Sequence, residues 1–262
     1  MIQGPPQLQK GMRVAEVGNL QRFLRSLGYT DYQDLPLKAD EDLGGRTEFA
    51  LRCWQKQNGV KLTGVFDMES RLAAIRLGFI PFVQAVNCNV LYPNKRQVTR
   101  IAIHTMENSE LPFNQAESVA DWFANKHAPK YPAPQASPHF NVDRDSIVQS
   151  VRVTDVAWHA KGANHNSIGI ELAGRHSQSA ADWQDEVSQA ILRNAAGLCR
   201  WLCAERPITV RKLSLEEILD DSESGFLGHV DATKAYKIAG GHVDPGPHFP
   251  WTQFLTMIRE VA

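Results

Sequence analysis

The chain has 262 residues, 43% hydrophobic and 22% charged, with a formal net charge of -1. This composition is typical of an ordinary globular protein. The near balance of 28 basic and 29 acidic residues argues against a nucleic-acid-binding protein, which needs clustered Lys and Arg to contact phosphates. The sequence contains no apolar run long enough to span a membrane, and its first residues do not resemble a signal peptide. We therefore expect a protein that is not inserted in a membrane and that stays in the cytoplasm unless it is released.

Residues 1–80 are predicted to form a small all-α domain of three short helices. The first helix has apolar residues at helical spacing and stops at Gly28. Thr47 is expected to cap the second helix, and Asp67 the third. The predicted apolar face of the third helix consists of Leu72, Ala73, Ile75 and Leu77.

Residues 81–96 have neither a helical nor an alternating pattern and are predicted to form a linker. From residue 97 to residue 262, strand-like segments alternate with amphipathic helical segments. The strand-like segments are "VTRIAIH", "SIVQSVRV" and "SIGIELA"; the helical ones are "AESVADWFAN", Ala181 to about Glu205, and "TQFLTMIREVA". Strands interleaved with helices predict an α/β domain in which helices flank a central mixed β-sheet.

Three residues of the second domain form a candidate metal site. His104 ends the strand-like "RIAIH", His229 follows the apolar "FLG", and Asp244 opens the rigid turn "DPGP". A catalytic zinc ion takes about three protein ligands and keeps one position open. Strand ends and the loops beside them hold such ligands firmly while leaving them accessible. Two neutral imidazoles and one carboxylate would leave the ion a residual charge of about +1, which acidifies bound water.

Four ordered segments between residues 97 and 255 carry a family resemblance. They are "IAIH", "SPHFNVDRDSIVQSV", "AWHAKGANHNSIGIELAG" and "GHVD…HVDPGPHFPW". Together they resemble the zinc-dependent N-acetylmuramoyl-L-alanine amidases. This family includes phage lysozyme-amidases, bacterial anhydromuramoyl-peptide amidases and the animal peptidoglycan recognition proteins. The resemblance implies that His104, His229 and Asp244 bind Zn²⁺, with Asp in the third position as in the bacterial amidases.

The same resemblance implies two catalytic residues. Glu171 matches the catalytic glutamate of the bacterial members, and its place at the end of an apolar strand would raise its pKa by desolvation. Some relatives use a tyrosine instead, but that position is Pro138 here. His242 lies where many members have a lysine that stabilises the oxyanion, and a histidine there can donate a hydrogen bond. It could instead be a ligand or a packing residue. Residues that match the substrate groove are His159, Lys161 and Asn166.

The first domain also has a resemblance. Its segments "GMRVAEVGNLQRFLRSLGY" and "DLGGRTEFALRCWQKQNGVKLTGVFD" are similar to the three-helix peptidoglycan-binding module of many cell-wall hydrolases. A helix-turn-helix DNA-binding domain is the alternative for three helices. It is disfavoured because the 11 basic and 9 acidic residues before residue 80 are not clustered.

These features predict zinc-dependent hydrolysis of the amide bond between the lactyl group of N-acetylmuramic acid and L-alanine in peptidoglycan. We expect a monomeric, endolysin-like enzyme with peptidoglycan as its partner, made in the host cytoplasm and acting on the cell wall after release. One alternative is a cytoplasmic amidase that recycles soluble muropeptides. The other is a recognition protein that binds peptidoglycan without cleaving it.

Overall fold

The structure, a computed structural model, describes residues 7–90, 96–110, 114–126 and 134–260. The chain divides into two compact units, Met1–Phe82 and Val83–Ala262. Each unit has its own buried apolar residues, as expected of independent domains.

Three helices lie in the described part of the first unit: α1 (Ala15–Ser26), α2 (Gly45–Gln57) and α3 (Met68–Ile75). They enclose a core of fully buried side chains. Its largest members include Leu20, Leu24, Leu51, Trp54 and Phe66. The prediction of a helical N-terminal domain is confirmed.

The caps of these helices follow the prediction in one case and depart from it in the other. Asp67 caps α3, because its Oδ1 accepts a hydrogen bond of 2.9 Å from the backbone N–H of Ser70. The predicted cap at Thr47 is wrong, since α2 begins at Gly45 and Thr47 lies within its first turn. The hydroxyl of Thr47 is buried and accepts a hydrogen bond of 3.0 Å from Nε2 of Gln21. The hydroxyl of Thr47, which was predicted to cap α2, therefore binds a side chain of another helix.

The predicted apolar face of α3 is wrong for two of its four residues, while Ala73 and Ile75 pack against the core. Leu72 and Leu77 are 52% and 47% exposed. The helix instead turns Arg71 inward, where its guanidinium forms a buried salt bridge with Glu16 of α1 and lies 5.3 Å from the ring centre of Phe66. A charged pair with cation–π contact therefore occupies the interface in which sequence periodicity placed leucines.

Five strands form the main sheet of the second unit within the described residues. They are β2 (Arg100–Thr105), β3 (Phe140–Val142), β4 (Ile147–Gln149), β6 (Ser167–Leu172) and β7 (Gly225–Gly228), in the order β4–β3–β6–β2–β7. Strands β3, β6, β2 and β7 are parallel, and β4 is antiparallel to β3. Every residue of β2 is buried, as expected for a parallel strand with both faces covered.

Part of the predicted linker pairs with the second unit. The backbone N–H of Val83 donates a hydrogen bond of 2.8 Å to the carbonyl of Gln149. Strand β1 (Cys88–Asn89) then pairs antiparallel with β5 (Val156–Ala157). Residues 91–95 of the predicted linker lie outside the described residues. The chain therefore contributes to the second unit before the first strand that the sequence predicted.

Within the described residues, the helices of the second unit are α4 (Gln115–Phe123), α5 (Glu186–Glu205), α6 (Leu215–Ile218), α7 (His229–Ala235) and α8 (Trp251–Arg259). A 3-10 turn, Asp182–Gln184, precedes α5. Asp185 caps α5 by accepting a hydrogen bond of 2.7 Å from the backbone N–H of Ser188. Helices flanking a mixed sheet confirm the predicted α/β class. Among the described helices, none has the length and apolar character that a membrane crossing requires.

Candidate metal centre and active-site cleft

Two histidines emerge together at one edge of the sheet. His104 is the fifth residue of β2, and His229 is the first residue of α7, directly after β7. Strand β7 runs parallel to β2, with Gly228 paired to Ile103. Both histidines therefore lie at the carboxyl ends of adjacent parallel strands, where open α/β sheets usually bind ligands.

The loop after α7 brings Asp244 to these histidines. Nδ1 of His104 lies 3.1 Å from Nδ1 of His229 and 3.1 Å from Oδ2 of Asp244. Nδ1 of His229 lies 3.3 Å from Oδ1 of Asp244. Zinc bonds of about 2.1 Å at tetrahedral angles separate ligand atoms by about 3.4 Å. The three buried side chains, whose donor atoms all lie within 4.8 Å of one another, therefore fit a zinc ion.

Close backbone packing fixes the loop that carries Asp244. The backbone N–H of Val230 donates a hydrogen bond of 2.9 Å to the carbonyl of Asp244. A β-carbon at Gly228 would lie 2.7 Å from Cδ of Pro245. Strand β7 therefore needs glycine at its end so that the "DPG" turn can approach.

The charges of the three residues suit metal binding. Burial by itself would raise the pKa of Asp244, but the imidazole rings of His104 and His229 beside it outweigh burial and hold that pKa well below its usual range. Burial lowers the pKa of His229 more than Asp244 raises it. An ionised carboxylate and a neutral imidazole are the protonation states that bind metals.

Glu171 lies beside His104. It is the fifth residue of β6, and the strand register pairs it with His104. The carboxyl group is half-buried at the cleft. Burial, followed by the negative charges of Asp244 and Glu107, raises its pKa well above the ordinary value. A carboxyl group in such surroundings is a candidate for proton transfer at neutral pH.

His242 lies next to the candidate ligands His229 and Asp244 and is exposed to solvent. Its ring stacks on that of His229 with centroids 3.9 Å apart and planes at 15°. Its Nδ1 lies 3.7 Å from Oδ1 of Asp244, and its side chain is 65% exposed. Its imidazole is therefore close to the candidate metal position and accessible to a substrate.

These side chains face a cleft with a volume of about 1280 Å³. Typical small-molecule pockets have volumes of about 300–1,000 Å³, so this cleft suits an extended ligand. Its walls include Trp122 of α4 and Trp158 after β5, which are 41% and 37% exposed. The cleft thus offers exposed aromatic surface as well as the polar centre.

The three predicted groove residues occupy different positions. Lys161 is exposed and lines the cleft. His159 also lines it, but the side chain is buried, and its Nδ1 lies 3.1 Å from Nε2 of His104. Burial, and then the charge of His104, lowers the pKa of His159 well below its usual value.

Asn166 lies apart from the residues that line the cleft in the described structure. It is buried, and its Nδ2 donates a hydrogen bond of 3.0 Å to Oδ1 of Asp221. Its backbone carbonyl accepts from the N–H groups of Thr99 and Arg100 at the start of β2. Asn166 therefore braces the opposite end of the strand, and Asn164 lines the cleft instead. Nothing in the "GANHNS" segment distinguishes the two asparagines before folding.

Two further residues that line the cleft, Glu107 and Trp122, were not predicted from the sequence. Oε1 of Glu107 accepts hydrogen bonds from Oγ1 of Thr105 at 2.6 Å and from the backbone N–H of His176 at 3.0 Å. Glu107 follows strand β2 by two residues, and this position just beyond a strand end could have indicated a residue of the cleft. Trp122 was included in an amphipathic helix, and periodicity alone did not indicate that its ring is exposed at the cleft.

Two buried histidines and an aspartate, next to a half-buried glutamate at the carboxyl edge of a parallel sheet, form the type of centre found in metal-dependent hydrolases. Residues 94–247 match the family described as N-acetylmuramoyl-L-alanine amidase, and residues 13–71 match the peptidoglycan binding domain family. The chain belongs to the N-acetylmuramoyl-L-alanine amidase family. The predicted family, enzyme class and amidase activity are thereby confirmed.

The chain is also similar to individual known proteins. The chain is 30% identical to N-acetylmuramoyl-L-alanine amidase A of Achromobacter lyticus over 168 residues, which cover 62% of this chain and 84% of that protein. Among solved structures, the Staphylococcus aureus hydrolase AmiA is 17% identical, with a TM-score of 0.48 and coverage of 68% of this chain and 80% of that chain. A mutant endolysin from Bacillus subtilis is 21% identical, with a TM-score of 0.43 and coverage of 68% and 97%.

Proposed function

We propose that this chain hydrolyses the lactyl–L-alanine amide of peptidoglycan at a zinc centre formed by His104, His229 and Asp244. The observation that carries the proposal is the convergence of these three donors beside Glu171. Their donor atoms lie within 4.8 Å of one another and are buried. A bound Zn²⁺ would supply Lewis-acid activation of the amide carbonyl and of water.

Glu171 is the proton carrier in this proposal. A general base needs a pKa close to the working pH, and burial moves the pKa of Glu171 upward from that of a free carboxyl group. Its carboxylate accepts the proton of the attacking water. It then donates this proton to the nitrogen of L-alanine, which leaves as a neutral amine.

His242 stabilises the oxyanion that develops on the lactyl carbonyl. Its ring is held by stacking on His229, so it costs little reorganisation when charge develops. Removal of one preorganised oxyanion donor usually lowers kcat by about 10²–10³-fold. In this proposal Lys161 contacts the carboxylates of the stem peptide, which its charge and its place in the wall of the same cleft support.

The first unit binds peptidoglycan, since residues 13–71 match a peptidoglycan binding domain. We further propose that it concentrates the catalytic domain on the insoluble wall, which raises the local substrate concentration without new chemistry at the active site. This arrangement favours an endolysin-like enzyme over a recycling amidase, because a soluble muropeptide needs no wall anchor.

Mass spectrometry of digested sacculi tests this function. We expect new N-terminal alanine on released stem peptides while the glycan strands stay intact. Purified soluble muropeptides, digested in parallel, separate the two enzymatic alternatives, because a recycling amidase would cleave them and leave sacculi unchanged. Binding to sacculi without any release of alanine would instead identify a recognition protein.

A further inference from the structure

A buried histidine lies directly behind the candidate metal centre. Nδ1 of His159 is 3.1 Å from Nε2 of His104, and the two rings are nearly perpendicular, at 89°. The other ring nitrogen of His104 faces Asp244. We propose that His159 is a positioning residue that fixes the tautomer of His104 and so prepares its Nδ1 to bind the metal. This inference rests on the proposed zinc centre.

The hydrogen bonds that determine this tautomer begin at Ala163. Oγ of Ser167 lies 2.6 Å from the carbonyl oxygen of Ala163. A carbonyl oxygen only accepts, and a serine hydroxyl has one proton to donate. The hydroxyl proton of Ser167 is therefore used in this bond, and its Oγ acts only as an acceptor toward other groups.

The next step assigns the proton of His159. Its Nε2 lies 3.3 Å from Oγ of Ser167 and 3.4 Å from the carbonyl oxygen of Ser167. Both atoms are acceptors toward the ring, so Nε2 must carry a proton. In a neutral imidazole, the form that burial favours, Nδ1 then has a lone pair.

The lone pair of His159 in turn fixes His104. It faces Nε2 of His104, which must therefore donate, and Nδ1 of His104 is left with its own lone pair. That lone pair points at the carboxylate of Asp244, 3.1 Å away. Two acceptors at this distance repel each other unless a cation lies between them. The hydrogen bonds starting at Ala163 thus select the tautomer that binds a cation and oppose the one in which His104 donates to Asp244.

Two features of the surrounding chain fix the position of His159: the space at Gly169 and hydrogen bonds to Asn164. A β-carbon at Gly169 would lie 2.4 Å from Cγ of His159, so the glycine of "SIGIE" provides room for the ring. Oδ1 of Asn164 accepts hydrogen bonds of 3.0 Å and 2.6 Å from the backbone N–H groups of His159 and Ala160. Mutation of a residue that hydrogen-bonds to a metal ligand in this way typically changes metal affinity by about 10–100-fold.

This role is distinct from the substrate contact that the family resemblance implies for His159. A residue that only contacts substrate changes KM and leaves the affinity for zinc unchanged. A residue that fixes the tautomer of His104 changes the affinity for zinc in the absence of any substrate. The decisive readout is therefore metal binding by the free protein.

The first experiment uses the full wild-type chain with ¹⁵N-labelled histidines. We expect long-range ¹H–¹⁵N spectra of the zinc-loaded protein to show His104 protonated at Nε2, with Nδ1 bound to the metal, and His159 protonated at Nε2. Binding of zinc through Nε2 of His104, or a proton at Nδ1 of His159, would overturn the inference. This measurement does not depend on the folding of any variant.

The second experiment compares His159→Leu with His159→Asn by competition for Zn²⁺ with a chelator. Leucine removes the acceptor, and we expect the affinity for zinc to fall by about 10–100-fold. Asparagine places Oδ1 close to the position of Nδ1, so the affinity for zinc should fall clearly less than in His159→Leu. His248→Leu, at an exposed position, controls for the loss of any one histidine.

The outcomes separate this inference from the function on which it rests. If wild type binds zinc tightly and His159→Leu binds it equally well, the positioning role is wrong and the zinc amidase stands. If His159→Leu and His159→Asn lose affinity equally, the acceptor atom is irrelevant and the inference is also overturned. If the wild-type chain binds no zinc, both proposals fail.

Discussion

His104 and Glu171 are register partners in adjacent parallel strands. Paired positions of neighbouring strands point to the same face of the sheet, about 4.8 Å apart. The separation between the first candidate ligand and the candidate base is therefore set by the hydrogen bonds between β2 and β6 rather than by a loop. This relationship explains how a rigid sheet can present both groups to one substrate.

Replacement of Glu171 by Gln should lower the rate of amide hydrolysis by about 10²–10⁴-fold, the range for loss of a general acid–base. The zinc content should remain at the wild-type level, because Glu171 is not among the three candidate ligands. Release of alanine from sacculi and metal analysis by mass spectrometry measure the two effects. Glu216→Gln, on the exposed start of α6, is the matched control. Near-normal turnover in Glu171→Gln would remove Glu171 from the mechanism.

Removal of the metal should abolish hydrolysis, and restored zinc should recover it. We expect chelator-treated protein to lose activity while its circular dichroism spectrum stays near that of the untreated protein. Asp244→Asn should bind zinc more weakly, because a neutral amide replaces the ionised carboxylate ligand. Hydrolysis that persists in the dialysed, metal-free protein would exclude the zinc mechanism.

The role of His242 can be separated from that of the ligands. His242→Ala should lower kcat by about 10²–10³-fold, the cost of losing one oxyanion donor, and leave the zinc content unchanged. His242→Lys should retain much more activity, since the lysine ammonium can also donate a hydrogen bond to the oxyanion. Loss of zinc from His242→Ala would instead assign this residue to the metal, and equal activity of the two variants would argue for a packing role.

The buried pair Glu16–Arg71 should stabilise the first unit. Glu16→Ala leaves the buried guanidinium without this carboxylate, and breaking a buried ion pair in this way costs about 3–5 kcal/mol. Hydrogen exchange read by mass spectrometry should show faster exchange in helices α1 and α3. Glu69→Ala, at an exposed position in α3, should change exchange little. Equal protection in both variants would mean that the pair contributes no net stability.

Glu117 of α4 should make the stability of the second unit depend on pH. Burial, followed by the charge of Asp143, raises its pKa in the folded state, so the folded chain holds this proton more tightly than the unfolded chain does. The carboxyl group therefore costs no stability below about pH 4.3, the pKa of an unperturbed glutamate, and it becomes destabilising as the pH rises through the folded-state pKa.

Glu117→Gln should consequently raise the melting temperature at pH 7 and leave it nearly unchanged at pH 4. Thermal unfolding of both proteins at the two pH values measures this difference. Glu186→Gln, which is exposed at the start of α5, is the control for loss of a negative charge. A variant that is less stable than wild type at pH 7 would contradict the assigned direction of the pKa.

The α/β class, and the positions of the three candidate ligands at strand ends and in a turn, were predictable because their signals are local. Apolar, β-branched runs form strands where other elements of the domain can bury them. His104 and His229 directly follow such runs. Asp244 stands in a proline turn whose shape its own neighbours define. The cap at Asp67 was predictable for the same reason, since a cap bonds to an N–H group three residues away.

The contacts of Thr47, Asn166 and His159 were decided only by tertiary structure. Each side chain contacts a residue that is distant in the sequence: Gln21, Asp221 and His104, respectively. The sequence by itself determined which residue types stand at strand ends and turns, because hydrophobic periodicity and turn chemistry act over a few residues. Strand register and loop packing determined which of those residues meet, because these contacts form between segments up to 140 positions apart.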